Sequence, residues 1–146
     1  MCSGHLVWYE IVQHCTVFLE VVCCKADDLE VNKGVWHGET EVLGLDTFPN
    51  GWGILTYSEE DHLNRDKYDG NMVYGVMQGY GTLIWKDGSY YSGQFANNSK
   101  SGEGTLFYSN GDIFTGQWAD EAKSGQGTYM FSKGEYINYK PHSICL

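Results

Sequence analysis

GYGTLIWKDGSYYSGQF (79–95), GEGTLFYSNGDIFTGQW (102–118) and GQGTYMFSKGEYINYK (125–140) are three copies of one pattern, offset by 23 residues. Gly79, Gly102 and Gly125 correspond, as do Gly81, Gly104 and Gly127, then Thr82, Thr105 and Thr128. Gly88, Gly111 and Gly134 follow at the turn, and Tyr91, Phe114 and Ile137 beyond it. A fixed period of this length is the mark of stacked units that bury their apolar surface only against neighbours. Taken singly, the Gly-x-Gly suggests a loop that cradles phosphate. A dinucleotide loop, however, needs a third glycine, a preceding strand and a following helix. Here the glycines run directly into strand-like segments, so they read as framework, where one hairpin approaches the next closely.

Looser copies precede the clear ones. NGWGILTY (50–57) matches the first limb and KYDGNM (67–72) the second, with SEEDHLNRD as a longer loop between them. VWHGET (35–40) matches the second limb of a still more degenerate unit. Each clear unit reads as a β-hairpin, because Asn110-Gly111 and Asp87-Gly88 sit between two apolar limbs, and such dipeptides favour two-residue type I′ turns. Lys133-Gly134 keeps the glycine. A two-residue turn predicts that Tyr108 faces Ile113, Phe107 faces Phe114, Leu106 faces Thr115 and Thr105 faces Gly116. It also predicts linkers of about seven residues, such as ANNSKSG (96–102), between hairpins. Side-chain alternation then gives two faces. One carries Thr82, Ile84, Tyr91, Gly93, Phe95, Thr105, Phe107, Phe114, Gly116, Trp118, Thr128, Met130 and Ile137. The other carries Leu83, Trp85, Tyr90, Leu106, Tyr108, Ile113, Tyr129, Phe131 and Tyr136. Both are apolar in this reading, and a sheet apolar on both sides needs a cover on each.

The aromatic-x-Gly-x-aromatic limb recurs as Tyr91, Gly93 and Phe95, as Phe114, Gly116 and Trp118, and as Tyr68 and Gly70 with Met72 in the last place. Together with the Gly-x-Gly and the turn glycine, this pattern resembles the MORN repeat. The resemblance covers residues 50–139, with clear units at about 68–90, 91–113 and 114–136 inside an array spanning 35–140. The last unit departs from it, since YINYK (136–140) has no limb glycine, as in a terminal or capping unit. What the resemblance implies is an all-β, elongated, single-layer antiparallel sheet of stacked hairpins. It also implies a scaffold in protein complexes of the cytoplasm, on cytoskeletal or ciliary structures, with phospholipid binding proposed for some members. FPNGWGILTY further resembles the amino-terminal array of ankyrin-repeat and MYND-finger proteins, and the chain contains neither of those domains. Residues 1–34 lie outside the pattern. IVQHCTVFLEVV is either a strand or unstructured, CKADDLEVNKG reads as an acidic linker, and 141–146 as a tail.

Composition narrows the function classes. The 146 residues suit one domain. Nineteen glycines beside 15% aromatics, with only two prolines, point to strands and tight turns. The net charge is −10, with 12 acids and 4 bases in residues 1–67 and 7 acids and 5 bases in 68–146. Neither half offers the basic patch that nucleic acid demands. Five cysteines without regular spacing read as reduced thiols in the cytoplasm. Leu6–Cys24 is broken by Glu10, Gln13, His14 and Glu20, which argues against a secretory signal or a membrane span. Cys145 is wrongly placed for prenylation. Asn97-Asn98-Ser99 matches a glycosylation acceptor by chance.

No chemistry-bearing constellation emerges. His14, Cys15, Cys23 and Cys24 lack zinc spacing, residues 58–70 lack the spacing of a calcium loop, and the five histidines are scattered. The expectation is a non-enzymatic scaffold without cofactor or metal. Its partner is another protein, a peptide or helix, held by Leu83, Trp85, Tyr90, Leu106, Tyr108, Ile113, Phe131 and Tyr136, because exposed aromatic patches mark interaction sites. Open edge strands also allow self-association through the array ends. The alternative is a phosphoinositide-binding module using Lys86, Lys100, Lys123, Lys133 and Lys140, of which Lys100 and Lys123 share a register.

Overall fold

The computed structural model describes residues 23–31 and 34–141. They form ten strands: β1 (Cys23–Val31), β2 (Gly34–Leu43), β3 (Asp46–Tyr57), β4 (Arg65–Val73), β5 (Val76–Trp85), β6 (Tyr90–Ala96), β7 (Ser99–Phe107), β8 (Ile113–Ala119), β9 (Ala122–Met130) and β10 (Tyr136–Tyr139). Each strand pairs antiparallel with its sequence neighbours, giving one open sheet in chain order. Of the stretch read as an acidic linker, residues 24–31 belong to strand β1, whose register runs from Cys23↔Glu41 to Val31↔Gly34. The IVQHCTVFLEVV segment falls outside the described residues.

The turns differ from the sequence expectation in an instructive way. The Asn-Gly hairpin is not a two-residue turn. The Tyr108 N–H donates to Asp112 O at 2.9 Å, and the Gly111 N–H to Tyr108 O at 3.0 Å, leaving a three-residue loop with Gly111 at φ 87°. The same pair of bonds closes Trp85–Ser89 and Phe131–Glu135. This is the three-residue hairpin in which glycine takes the left-handed position after a type I turn. The observed partners are therefore Phe107↔Ile113, Leu106↔Phe114, Thr105↔Thr115 and Gly104↔Gly116, one residue from those expected. The two-residue turns lie where linkers were expected. Asn97 and Asn98 (φ 50° and 66°) join β6 to β7, and Asp120 and Glu121 (φ 46° and 70°) join β8 to β9. Two successive positive φ values are the geometry of a type I′ turn.

One residue of register moves every side chain of a strand to the other face. The inner face carries Tyr68, Met72, Met77, Leu83, Tyr91, Phe95, Phe114 and Trp118, all buried. Trp85, Leu106, Tyr108, Tyr129 and Tyr139 pack against them. The outer face carries the intervening residues. The two faces are therefore unlike, which removes the expectation that both are uniformly apolar.

A single sheet buries this inner face by laying rings on glycines. Gly53, Gly70, Gly81, Gly93, Gly104, Gly116 and Gly127 stand opposite one another across the strands. The Tyr91 ring lies over Gly93 and Gly104, and the Tyr68 ring over Gly70 and Gly81. The Tyr91 hydroxyl donates to Gln94 O at 3.0 Å, and the Tyr68 hydroxyl to Asn71 O at 2.8 Å. Burial pushes the Tyr91 hydroxyl up to about 12, so it stays protonated as a donor. Edge-to-face contacts then run from ring to ring. Tyr68–Phe95, Phe95–Tyr91, Tyr91–Trp118, Trp118–Phe114 and Phe114–Tyr139 all have centroids 5.2 to 5.4 Å apart. Each such pair adds about 0.5–1.5 kcal/mol beyond the area it buries.

The first glycine of each Gly-x-Gly has a separate task. Gly102, at φ 59°, sits in the bulge where β7 slips past β6, and the Gln94 carboxamide fills that space, accepting from the Glu103 N–H at 3.0 Å. The opening glycine pair is thus one bulge residue and one ring seat.

The longer loop 58–64 is held by Asp61, whose carboxylate accepts from Arg65 Nη2 at 2.6 Å and from the Arg65 N–H at 2.9 Å. The Arg65 guanidinium stacks over Tyr57 at 4.0 Å. Hydrogen bonds from Arg65 lower Asp61 to about 2. A depressed carboxylate contributes stability that is present above its unfolded value, near 4, and is lost as pH falls through the folded value. The stability of the wild-type chain is expected to fall between pH 4 and pH 2 more steeply than that of Asp61→Asn, measured by urea denaturation at each pH. Parallel slopes for the two proteins would remove the assignment.

Candidate interaction surface

The outer face is built in rows that cross the strands. Its first row starts from Ile84↔Tyr90 and continues Tyr90↔Phe107, Phe107↔Ile113, Ile113↔Met130 and Met130↔Tyr136. This is an apolar stripe across six strands. Tyr90 is stacked on Phe107 with centroids at 4.3 Å, and Met130 and Tyr136 are 44% and 69% exposed.

Beside the stripe runs a row of hydroxyls. Thr82↔Ser92, Ser92↔Thr105, Thr105↔Thr115 and Thr115↔Thr128 are successive cross-strand pairs. Thr82 Oγ1 donates to Ser92 Oγ at 3.2 Å, and the Thr105 and Thr115 hydroxyls share a hydrogen bond at 3.1 Å. Beyond the hydroxyls stand Trp52, Tyr80, Gln94 and Glu103, with the Gln94 carboxamide donating to the Tyr80 hydroxyl at 2.9 Å. Between these walls lies an open trough of about 490 Å³ whose lining includes the carboxylates Asp69 and Glu103 and no base. A second section of about 510 Å³ continues along β8–β10, past Thr128 and Asn138, to Lys140. Neither Asp69 nor Glu103 has an ion-pair partner among the described residues.

The eight residues expected to share a binding face do not share one. Leu83 and Trp85 on β5, and Leu106 and Tyr108 at the end of β7, belong to the inner face, with Leu83 only 5% exposed. Phe131 packs on Tyr129, centroids 5.0 Å apart. Tyr90, Ile113 and Tyr136 are on the outer face, in the apolar stripe. The cause is the three-residue hairpin loop, which shifts one limb by one residue against the other.

The lysines are also placed by this register. Lys100 is buried on the inner face, its Nζ paired with Glu121 and 5.1 to 5.8 Å from the rings of Trp85, Tyr91 and Trp118. Lys123, one repeat later, lies 4.5 to 5.9 Å from the rings of Tyr108, Phe114, Tyr129 and Tyr139. Lys86 pairs with Glu59 at 3.5 Å. Two lysines of the clear units thus serve as cation–π partners inside the aromatic layer, not as an exposed basic patch.

The register, the glycine row and the ring seats recur every 23 residues, and the MORN repeat family model matches residues 68–90, 91–113 and 114–136. Residues 68–136 are MORN repeats. MORN repeats are interaction modules, and the outer face is where this array presents its side chains to solvent.

Sequence reasoning missed two features of the MORN array. One is the hydroxyl row, which the threonine recurrence at 82, 105 and 128 could have disclosed. The other is Asp112, which ties one hairpin to the next. Its carboxylate accepts from the Ser132 N–H at 2.8 Å and the Tyr129 hydroxyl at 2.9 Å. Those two donors hold the Asp112 carboxyl below the usual range.

Proposed function

We propose that this chain is a non-enzymatic, cytoplasmic scaffold whose MORN array holds a partner protein on its outer face. The carrying observation is the apolar stripe from Ile84 to Tyr136, which lies across six strands with no element over it among the described residues. Exposed apolar rows of this extent, flanked by polar groups, suit protein interfaces, and the aromatic members are the side chains that most often anchor them. The charge of the trough favours a protein over an anionic lipid surface. Asp69 and Glu103 line it, Lys140 stands at the far end of its second section, and Lys100 and Lys123 are engaged in the aromatic layer. The reduced state expected of unpatterned cysteines favours the cytoplasm.

The test is affinity recovery with the wild type and the double variant Ile113→Asp, Met130→Asp. Both residues point outward but face each other across β8 and β9, where two carboxylates repel, so the denaturation midpoint is measured beside recovery. With the fold retained, recovery of bound protein is expected to fall about tenfold, as for loss of an interface anchor. A parallel flotation with phosphoinositide vesicles at low salt is expected to leave the chain unbound. Undiminished recovery by the variant, or flotation with the vesicles, would overturn the reading.

A further inference from the structure

The outer trough has a repeat length of its own. The hydroxyls come in bonded pairs, Thr82 with Ser92 on β5 and β6, and Thr105 with Thr115 on β7 and β8. In each pair one hydroxyl proton is used within the pair and the other remains to donate. The apolar stripe runs beside them without a break, Ile84↔Tyr90↔Phe107↔Ile113, with the Tyr90 and Phe107 rings stacked between hairpins. Over β5–β8 one spare donor therefore recurs every second strand beside the continuous stripe, a distance of about 9.6 Å at ordinary strand spacing.

A polyproline II segment advances about 9.3 Å per turn of three residues. Its turn matches one hairpin of the array almost without mismatch. An α-helix advances about 5.4 Å per turn, which falls out of step with both the single and the double strand spacing. The chemistry agrees with the length. A polyproline II backbone has no internal hydrogen bonds, so its carbonyls need donors. The spare hydroxyls supply one per turn over β5–β8, and Thr128 with Asn138 opposite it stands in the third hairpin. A helix satisfies its own carbonyls and leaves the hydroxyl row unused. The interior strands cannot supply main-chain donors, since each is paired on both sides.

We propose that the occupant of the outer trough is a proline-rich, basic segment of a partner protein, in polyproline II conformation, lying across the strands with one turn per hairpin. This rests on the outer-face reading above and names its partner class. Three hairpins, β5–β6, β7–β8 and β9–β10, accommodate about nine residues. Proline rings pack on the stripe at Tyr90, Phe107 and Ile113, carbonyls accept from the hydroxyls, and a Lys or Arg at the β5 end of the segment meets Asp69 on the neighbouring β4.

The experiment presents the full chain to two displayed peptide libraries of nine to twelve residues, one proline-rich and one helix-forming. The proline-rich library is expected to yield binders, enriched in Lys or Arg at one end. For the best of these as a labelled probe, Thr105→Val with Thr115→Val is expected to weaken binding about tenfold, and Asp69→Asn to weaken the basic probe more than its uncharged version. Ile113→Asp is expected to abolish binding. Selection of binders only from the helix-forming library, with dependence on Ile113, would overturn the polyproline occupant and leave the outer face as the interface. So would selection from neither library while Ile113→Asp with Met130→Asp still lowers partner recovery. Selection from neither, with recovery undiminished in that variant, would overturn both.

Discussion

Tyr91→Ala is expected to lower the stability of the array by about 4 kcal/mol, within the range for truncating a fully buried aromatic. Tyr91 is completely buried and sits midway along the chain of rings, touching Phe95 on one side and Trp118 on the other. Removing it breaks two edge-to-face contacts and empties the seat over Gly93 and Gly104. In a stacked array the cost falls on the interface between neighbouring units, so the effect is local in origin but divides the sheet. Against a usual total of about 5–15 kcal/mol, a loss of this size separates the units before β6 from those after it. Amide exchange is expected to accelerate in β6–β8 beyond its change in β3–β4. Tyr91→Phe keeps the ring and loses only the hydroxyl's hydrogen bonds, to Gln94 O at 3.0 Å and a longer one to Ser101 O at 3.5 Å, for which about 1 kcal/mol is expected. Guanidinium denaturation of both variants checks the pair. Equal effects from Ala and Phe would show that the hydroxyl, not the ring, carries the stability.

The aromatic register was legible in the sequence because the geometry permits few alternatives. A ring lying flat on the sheet requires a residue without Cβ beneath it, so Tyr91 with Gly93 and Phe114 with Gly116 announce themselves by identity as well as spacing. The assignment of faces was not legible in the same way, because it depends on the parity of the hairpin loop. Asn110-Gly111 favours a two-residue turn in isolation, and tertiary pairing outweighed that preference. Gly104 and Gly116 face each other, and eleven residues lie between them. An odd number leaves an odd loop, so pairing like glycines would have given the correct register directly. The longer loop also places Asp112 where its carboxylate reaches Ser132 and Tyr129 of the next hairpin, an advantage no local turn rule contains. The interaction surface inherited the same error. Tyr90, Ile113 and Tyr136 are outward in both readings, whereas Leu83, Trp85, Leu106 and Tyr108 were grouped with them only through the two-residue turn. Trp85 and Tyr108 pack against the buried rings, so truncating them is expected to perturb the aromatic layer and lower the denaturation midpoint.

The row of facing glycines leads to the second large effect. Gly93→Ala is expected to cost on the order of 3 kcal/mol, at the upper end of overpacking. An added Cβ would lie 2.5 Å from the Gly104 Cα and 2.6 Å from the Tyr91 hydroxyl oxygen. The first contact is backbone on a paired strand and cannot give. The second is the tip of a ring already fixed between Phe95 and Trp118. Gly93 has an ordinary backbone conformation, so the penalty arises from packing alone. Gly88 provides the contrast. Nothing lies within 4 Å of the Cβ it lacks, but it holds φ 83° at the hairpin turn. Gly88→Ala is therefore expected to cost about 1 kcal/mol through backbone strain. Urea denaturation of the two variants, with near-ultraviolet circular dichroism to follow the aromatic layer, distinguishes the causes. Gly93→Ala should weaken the aromatic signal of the folded state, because Tyr91 must lift from its seat, while Gly88→Ala should leave that signal intact and only move the midpoint. If the two substitutions cost the same and neither changes the aromatic signal, the rings do not depend on the glycines, and the explanation of how one sheet buries a face by itself fails with them.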